Sequence, residues 1–209
     1  MPFNGKKAAP EHRLKEKPAP PGKVKIMDAL RRLIIEKDFG AITTAEIART
    51  AGVTEALIYK HFRDKRDLLH RVLSEYLKAY LIQSRIDIKG IKGAKNKIRK
   101  LIWSHSNIYA TNRVFAKIIL IEVRNHPDYY ISDTYDLVKQ YSGILLGIIE
   151  EGIRNNEIRE DISPGFLRQS ILGCIEQACF TSVIFNREIS PDQITDDICE
   201  LIFKGIEKT

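Results

Sequence analysis

The segment Thr43-Thr44-Ala45-Glu46-Ile47-Ala48-Arg49-Thr50-Ala51-Gly52-Val53-Thr54-Glu55-Ala56-Leu57-Ile58-Tyr59-Lys60-His61-Phe62 holds two short helical patterns joined at a glycine. Thr43 and Glu46 have the spacing of a capping box, in which hydroxyl and carboxylate satisfy orphan amides at a helix start. Gly52 falls just past the first helix, where a left-handed residue turns the chain without a Cβ clash. Thr54 stands at the cap of the second helix. Ile47, Val53, Ile58 and Phe62 supply one apolar face, and Ala48 is small where two helices must cross closely. Glu55, Ala56, Leu57, Tyr59, Lys60 and His61 are left outward on the second helix. A helix presented in this way suits the major groove of DNA, with side chains near its start on base edges and neighbouring polar groups on phosphates.

The flanks extend the pattern. An amphipathic segment ends at Lys37-Asp38-Phe39-Gly40, and the pair is followed by Phe62-Arg63-Asp64-Lys65-Arg66-Asp67-Leu68-Leu69, where Asp64 caps a further helix. Through Ile47-Ala48, Ala51-Gly52-Val53-Thr54, Leu57-Ile58-Tyr59, His61-Phe62 and Lys65-Asp67-Leu68-Leu69, residues 23–75 resemble the TetR family of bacterial transcriptional repressors. The resemblance implies a homodimer that binds a double-stranded DNA operator, one head per subunit, with a larger helical domain for a small-molecule effector. It assigns phosphate contacts to Thr44, Tyr59, His61 and Lys65, and places Thr54, Glu55, Ala56, Leu57 and Lys60 at or near the bases. Ala45 stands where some members carry a base-reading Arg, so that contact is absent. Glu55 is suited to a cytosine amino group, and Ala56 or Leu57 to a thymine methyl.

The whole chain, 209 residues with 44% hydrophobic content and a net charge of +7, can bury a sizeable core and lacks an apolar run of the ~18 residues that a membrane span requires. Charge is divided along it: residues 1–100 carry 24 basic and 11 acidic side chains, and residues 101–209 carry 10 and 16. A basic half beside an acidic half points one end at a polyanion. Five of the eight prolines lie within residues 1–22, among Lys6, Lys7, Arg13, Lys15 and Lys17, so this stretch reads as a disordered basic arm. No secretory signal is visible, and Cys174, Cys179 and Cys199 have no zinc or disulfide spacing, which predicts buried thiols in a reducing cytoplasm.

Apolar residues recur at helical period from Lys23 onward and predict an all-α fold, with helices at 23–38, 44–51, 54–61, 65–86, 91–109, 113–125, 128–155, 164–187 and 191–207. The expected domains are a helix-turn-helix head over 23–70 and a helical ligand-binding and dimerisation domain over 71–209. Candidate cavity residues are Ile102, Trp103, Ser106, Tyr109, Phe115, Ile119, Glu122, Tyr141, Leu145 and Ile148, whose apolar character favours a hydrophobic effector such as a fatty acid or acyl-CoA. The nearly all-apolar segment 171–185 and the last helix resemble the family's paired C-terminal helices, with Gly173, Glu176, Gln177, Phe180, Ile184, Ile198 and Ile202 at the dimer interface. Glu176 needs a cation, a donor or a ligand, because an unpartnered buried carboxylate is costly. No metal or cofactor is expected. The chain has no HExxH, GxSxG, GxGxxG or GxxxxGK[ST] pattern, so an enzyme is disfavoured. The competing reading is a basic helical adaptor or a protein of anionic membrane surfaces, which accounts for the charge but not for the Gly52 turn.

Overall fold

A computed structural model of the chain describes residues 19–206, and the first 18 residues of the basic arm lie outside that range. Nine α-helices and no strand are found among the described residues: α1 (Pro21–Glu36), α2 (Thr44–Ala51), α3 (Glu55–His61), α4 (Lys65–Asp87), α5 (Ala94–Thr111), α6 (Arg113–Lys117), α7 (Asp133–Arg154), α8 (Pro164–Ile184) and α9 (Pro191–Ile206). Helix α1 starts two residues ahead of the expected Lys23. Pro21 takes the first helical position, where the missing N–H has no partner to lose and the fixed φ already suits the helix.

Helices α1, α2, α3 and the start of α4 enclose Ile26, Leu30, Ile47, Ile58, Phe62, Leu68 and Leu69, each at most 2% exposed. The turn between α2 and α3 is built as expected: Gly52 has φ +67° and ψ +39°, and the Val53 amide reaches the Ala48 carbonyl at 3.0 Å. Half of the capping box forms. The Thr43 hydroxyl accepts from the Glu46 amide, but the Glu46 carboxylate leaves its own helix start to bind Lys37 at 2.5 Å. Thr54 makes no side-chain cap, so only its backbone begins α3.

Lys65, expected at phosphate, has partners within the chain. Its ammonium donates to the carbonyls of Ile42 at 2.6 Å and Phe39 at 2.9 Å, with Gly40 at 3.5 Å. These are carbonyls in and just after a short 3-10 turn, Phe39–Ala41, that has no helix to continue into. The Phe39 carbonyl also accepts the Ile42 amide at 3.2 Å, and the Lys65 cation adds to that bond while joining the Ile42 carbonyl, so it ties α4 to the α1–α2 linker.

Helix α4 continues past residue 70, where the sequence suggested a domain edge, and packs along α7. Beyond it, α5, α7 and α8 surround a second buried group that includes Ile98, Leu101, Ile102, Leu145, Ile149, Ile171 and Ile175. The expected helix at 91–109 starts at Ala94 because Gly93, at φ +83°, ends a turn there. The expected helix at 113–125 divides into α6 and a π-helical turn, Ile118–Val123, and the expected helix at 128–155 loses its first residues to a 3-10 turn, Pro127–Ile131. Ser132 then caps α7, its hydroxyl accepting from the Tyr135 amide.

His105 sits fully inside this domain, edge-on to Tyr109 at 4.8 Å and 3.2 Å from the Tyr141 hydroxyl. Burial pushes its pKa from an ordinary 6.5 to about 4. The unfolded chain therefore takes up a proton that the folded one refuses, and stability falls as pH drops from about 6.5 to about 4 by up to ~1.4 kcal/mol per unit.

Two outcomes are expected. Lys65→Met, which keeps the stem and removes the donors, should lower the unfolding free energy by about 1–3 kcal/mol in urea titrations, and unchanged stability would show the carbonyls content with water. For His105→Gln, the stability difference from the parent should be constant above about pH 7 and shrink by ~1.4 kcal/mol per unit between 6.5 and 4. A difference that ignores pH would mean the imidazole stays hydrated.

Candidate functional site

The outer surface of α3 presents Glu55, Ala56, Tyr59 and Lys60 to solvent, while Ile58 anchors the helix from beneath. Tyr59 is 56% exposed, a large aromatic ring with little of the protein to cover it. Thr44, from the first turn of α2, donates to Glu55 at 2.8 Å, and the Tyr59 hydroxyl lies 3.5 Å from the same Thr44 oxygen. Three residues expected at the DNA, from two helices, are thus held as one polar group, with Glu55 oriented by Thr44. Leu57 and His61 are only half exposed. Both face the start of α1: a Cβ on Gly22 would stand 2.9 Å from Leu57 Cδ2 and 4.0 Å from His61 Nε2. Gly22 is therefore small for a reason, since a side chain there would push the leucine aside.

Ion pairs join the head and α4 to the stretch from the end of α6 to the start of α7. Lys117 meets Asp38 at 2.7 Å, Arg66 meets Glu122 at 3.5 Å, and Arg71 meets Asp133 at 2.8 Å. Lys117–Asp38 and Arg71–Asp133 are about half or more exposed and worth about 0–1 kcal/mol, whereas Arg66 and Glu122 keep only 27% and 32% exposure.

A narrow cavity of about 50 Å³ opens between α4, α5, α7, α8 and the π-helical turn. Its wall includes four of the expected residues, Tyr109, Phe115, Ile119 and Tyr141, joined by Leu77, Tyr80, Ile108, Val138 and Leu172. The other six are elsewhere. Ile102, Leu145 and Ile148 pack in the core, because their positions on α5 and α7 point at neighbouring helices rather than the void. The Ser106 hydroxyl bonds back to the Ile102 carbonyl at 2.9 Å. Trp103 turns outward, donating to Asp192 of α9 with Lys100 stacked 4.1 Å from its ring centre, and Glu122 faces Arg66.

The polar end of the cavity was not anticipated. Arg124 and Glu176 line it and form a two-pronged ion pair, with both N···O distances 2.7 Å. The Glu176 carboxylate, chiefly through these hydrogen bonds, raises the Arg124 pKa above its already high value. Burial likewise raises the Tyr109 and Tyr141 hydroxyls, keeping both neutral. Glu176 therefore finds its cation within its own chain and lines the cavity. Half of a signal for this was present: Glu176 interrupts an otherwise apolar segment and called for a cation, but Arg124 follows a stretch that already holds Lys117 and Glu122, so nothing in the sequence marked it as the partner. Ile198 is also buried within its own chain, and Ile202 is half-buried. Helix α8 presents outward Phe166, Gln169, Gly173, Gln177, Ala178, Phe180 and Thr181, with Ile184 half-exposed; Phe166, Gly173, Gln177, Phe180 and Ile184 follow one another at spacings of seven, four, three and four residues.

No described helix is long and apolar enough to cross a membrane, and no group of His, Cys, Asp or Glu among the described residues is arranged to hold a metal ion.

Residues 26–72 match the family model described as bacterial regulatory proteins, tetR family, and residues 73–205 match one described as the C-terminal region of YsiA-like protein. The fatty acid metabolism regulator protein of Bacillus subtilis (strain 168) is 28% identical over 186 residues, spanning 89% of this chain and 96% of that protein. The crystal structure of FadR from Bacillus subtilis in complex with stearoyl-CoA superimposes with a TM-score of 0.78 at 28% identity, covering 88% of this chain and 99% of that one. FadR from Bacillus halodurans gives 0.77 at 20% identity over 90% and 97%, a likeness of fold. With the glycine-turned helix pair in the first matched segment and the helical body in the second, the chain belongs to the TetR family of bacterial regulatory proteins.

Proposed function

We propose that this protein is a cytoplasmic, homodimeric transcriptional repressor whose two α3 helices read a palindromic DNA operator and which lets go when a long-chain fatty acyl-CoA enters the cavity. The observation that carries this reading is the cavity itself: apolar walls with one charged, hydrogen-bonded end, in a chain similar over nearly its full length to a regulator solved with stearoyl-CoA. An aliphatic chain suits the Leu77, Ile108, Phe115, Ile119 and Leu172 side, and a carbonyl or thioester suits the end where Arg124, Tyr109 and Tyr141 gather. The outward stripe on α8 supports self-association, since an exposed apolar face on a helix is a place for a second copy. Both family matches count against the adaptor or membrane-surface alternative, which has no use for a cavity.

Release follows from size. At about 50 Å³ the cavity holds one or two waters, and a long acyl chain needs many times that space. Entry must part α5, α7 and α8 and displace the π-helical turn, whose opposite side carries Glu122 against Arg66 of α4. Two heads on one operator must sit about 34–36 Å apart, so a small change in their tilt costs binding. The effector acts by preferring the parted state.

In a gel shift with duplex DNA from upstream of the protein's own gene, stearoyl-CoA should weaken binding by roughly 5- to 150-fold, the usual range of such couplings. No effect, or equal release by a short polar acid, would reject the acyl reading. In unfolding titrations, Arg124→Met and Glu176→Leu should each cost on the order of 2 kcal/mol, and the double variant less than the sum, because each single change strands a half-buried charge. Strict additivity would show the pair to be energetically idle.

A further inference from the structure

Among the described residues, nothing meets the Tyr80 hydroxyl, a buried group on the wall of the cavity. Its polar neighbours are engaged elsewhere. The Tyr141 hydroxyl lies 3.2 Å from Nδ1 of His105, and the Ser84 hydroxyl donates to the Tyr80 backbone carbonyl at 2.8 Å. The Arg124 guanidinium is taken up by Glu176. A buried hydroxyl is costly unless it is hydrogen-bonded, so Tyr80 takes its partner from whatever enters the cavity.

The ring that carries this hydroxyl is held in place. It lies at a tilt on Tyr141, with centroids 4.9 Å apart, and meets His105 edge-on at 6.1 Å. Both neighbours are buried. A ring fixed on two sides keeps its hydroxyl in one position, so little ordering remains to be done when a partner arrives. Burial also lifts the hydroxyl well above the ordinary tyrosine range, which makes it a neutral donor.

The chemistry of the partner follows from the groups already there. Arg124 is a donor only, and each oxygen of Glu176 already takes one of its bonds. Tyr80 adds a further donor, so a matching guest brings an acceptor oxygen. A free carboxylate would bring one together with a charge that the self-neutralised Arg124–Glu176 pair does not balance. A thioester carbonyl brings it uncharged, at the head of a chain that Leu77, Ile108 and Leu172 can cover.

We infer that the Tyr80 hydroxyl is the specificity-determining donor of this cavity, binding the acyl carbonyl and so separating an acyl thioester from an alkyl chain of equal length. This rests on the reading of the cavity as the acyl-CoA site. Because Tyr80 belongs to α4, the bond is made directly to the helix that carries the head.

The test sets two ligands against two proteins. Stearoyl-CoA and S-octadecyl-CoA, the thioether in which CH2 replaces the carbonyl, are titrated calorimetrically into the full chain and into Tyr80→Phe, and both thermal midpoints are measured without ligand. The parent should bind the thioester roughly 5- to 30-fold more tightly than the thioether, the worth of one hydrogen bond to a buried hydroxyl that is otherwise unmet. Tyr80→Phe should bind the two about equally. Its midpoint should match or exceed the parent's, since the change removes an unmet polar group and keeps the ring. Equal affinity of the parent for both ligands would overturn the inference and leave the acyl reading standing, as would a preference that survives in Tyr80→Phe. A midpoint lowered by more than about 4 °C would show the hydroxyl to be bonded within the free protein, and would overturn it as well. Binding of neither ligand by the parent would reject the acyl reading, and the inference with it.

Discussion

Helix α4 must pack into two cores at once, and every link between effector and DNA runs through that requirement. Its first turns bury Leu68, Leu69, Val72 and Leu73 with the head, and its later ones bury Leu77 and Leu81 with the larger domain, where Leu77 and Tyr80 also line the cavity. Twenty-three residues make a rod about 34 Å long, and this one contains neither proline nor glycine to serve as a hinge. A displacement at Tyr80 therefore cannot be absorbed within α4. It must appear at the other end, where Asp64 caps the helix and Lys65 holds the carbonyls of Phe39 and Ile42. These contacts make the head follow α4 as a body.

The Arg124–Glu176 pair shows why the cavity is poised and not simply filled. Two opposite charges facing a mostly apolar void are stable only together, and their parallel hydrogen bonds fix the spacing between the π-helical turn and α8. An apolar pair of equal volume could pack as well, but would not offer polar groups to a guest. A thioester or carbonyl arriving there exchanges hydrogen bonds with groups already desolvated, whereas an alkane finds none. Burial has set the protonation states to match: neutral tyrosines and a neutral His105 surround a pair whose charges cancel. The site thus carries local dipoles without net charge, which suits the uncharged junction of an acyl ester better than a free carboxylate.

Much of this architecture was legible in the sequence, for reasons that can be located. The turn at Gly52 is a local backbone demand, and the apolar period of α4, α7 and α8 reports which face is buried, so helix existence and order could be read directly. Side-chain direction could not. Glu176 and Gly173 share a helix, yet one enters the cavity and the other faces outward, a matter of roughly one-sixth of a turn between positions that an almost uniformly apolar helix does not mark. Trp103 looked like a cavity residue on size alone, but its indole N–H needs an acceptor and Asp192 supplies it at the surface. Lys65 fitted the pattern of a phosphate contact, and only the three-dimensional course of the linker at Phe39–Ile42 reveals the carbonyls it also binds. The π-helical turn leaves no signature either, since its extra residue per turn arises from packing between cavity and head.

That extra residue bears on how the coupling can be strong while the ion pairs between the domains are individually weak. A π-turn is a less favourable helical form, kept in place when both of its faces are held. Here Ile119 and Arg124 are held on the cavity side, and Glu122 and Ile118 on the head side. Loosening the cavity side removes half of what maintains the turn, so its relaxation toward ordinary α geometry adds to the work done by the entering ligand. On the proposed reading, the contacts of Arg66 with Glu122, and with them the seating of α4, would be lost through a local change in helical register rather than by being pulled apart one at a time. On that reading a single helical turn would link the cavity wall to the Arg66–Glu122 pair, which is why a weak pair could still report on an event inside the domain.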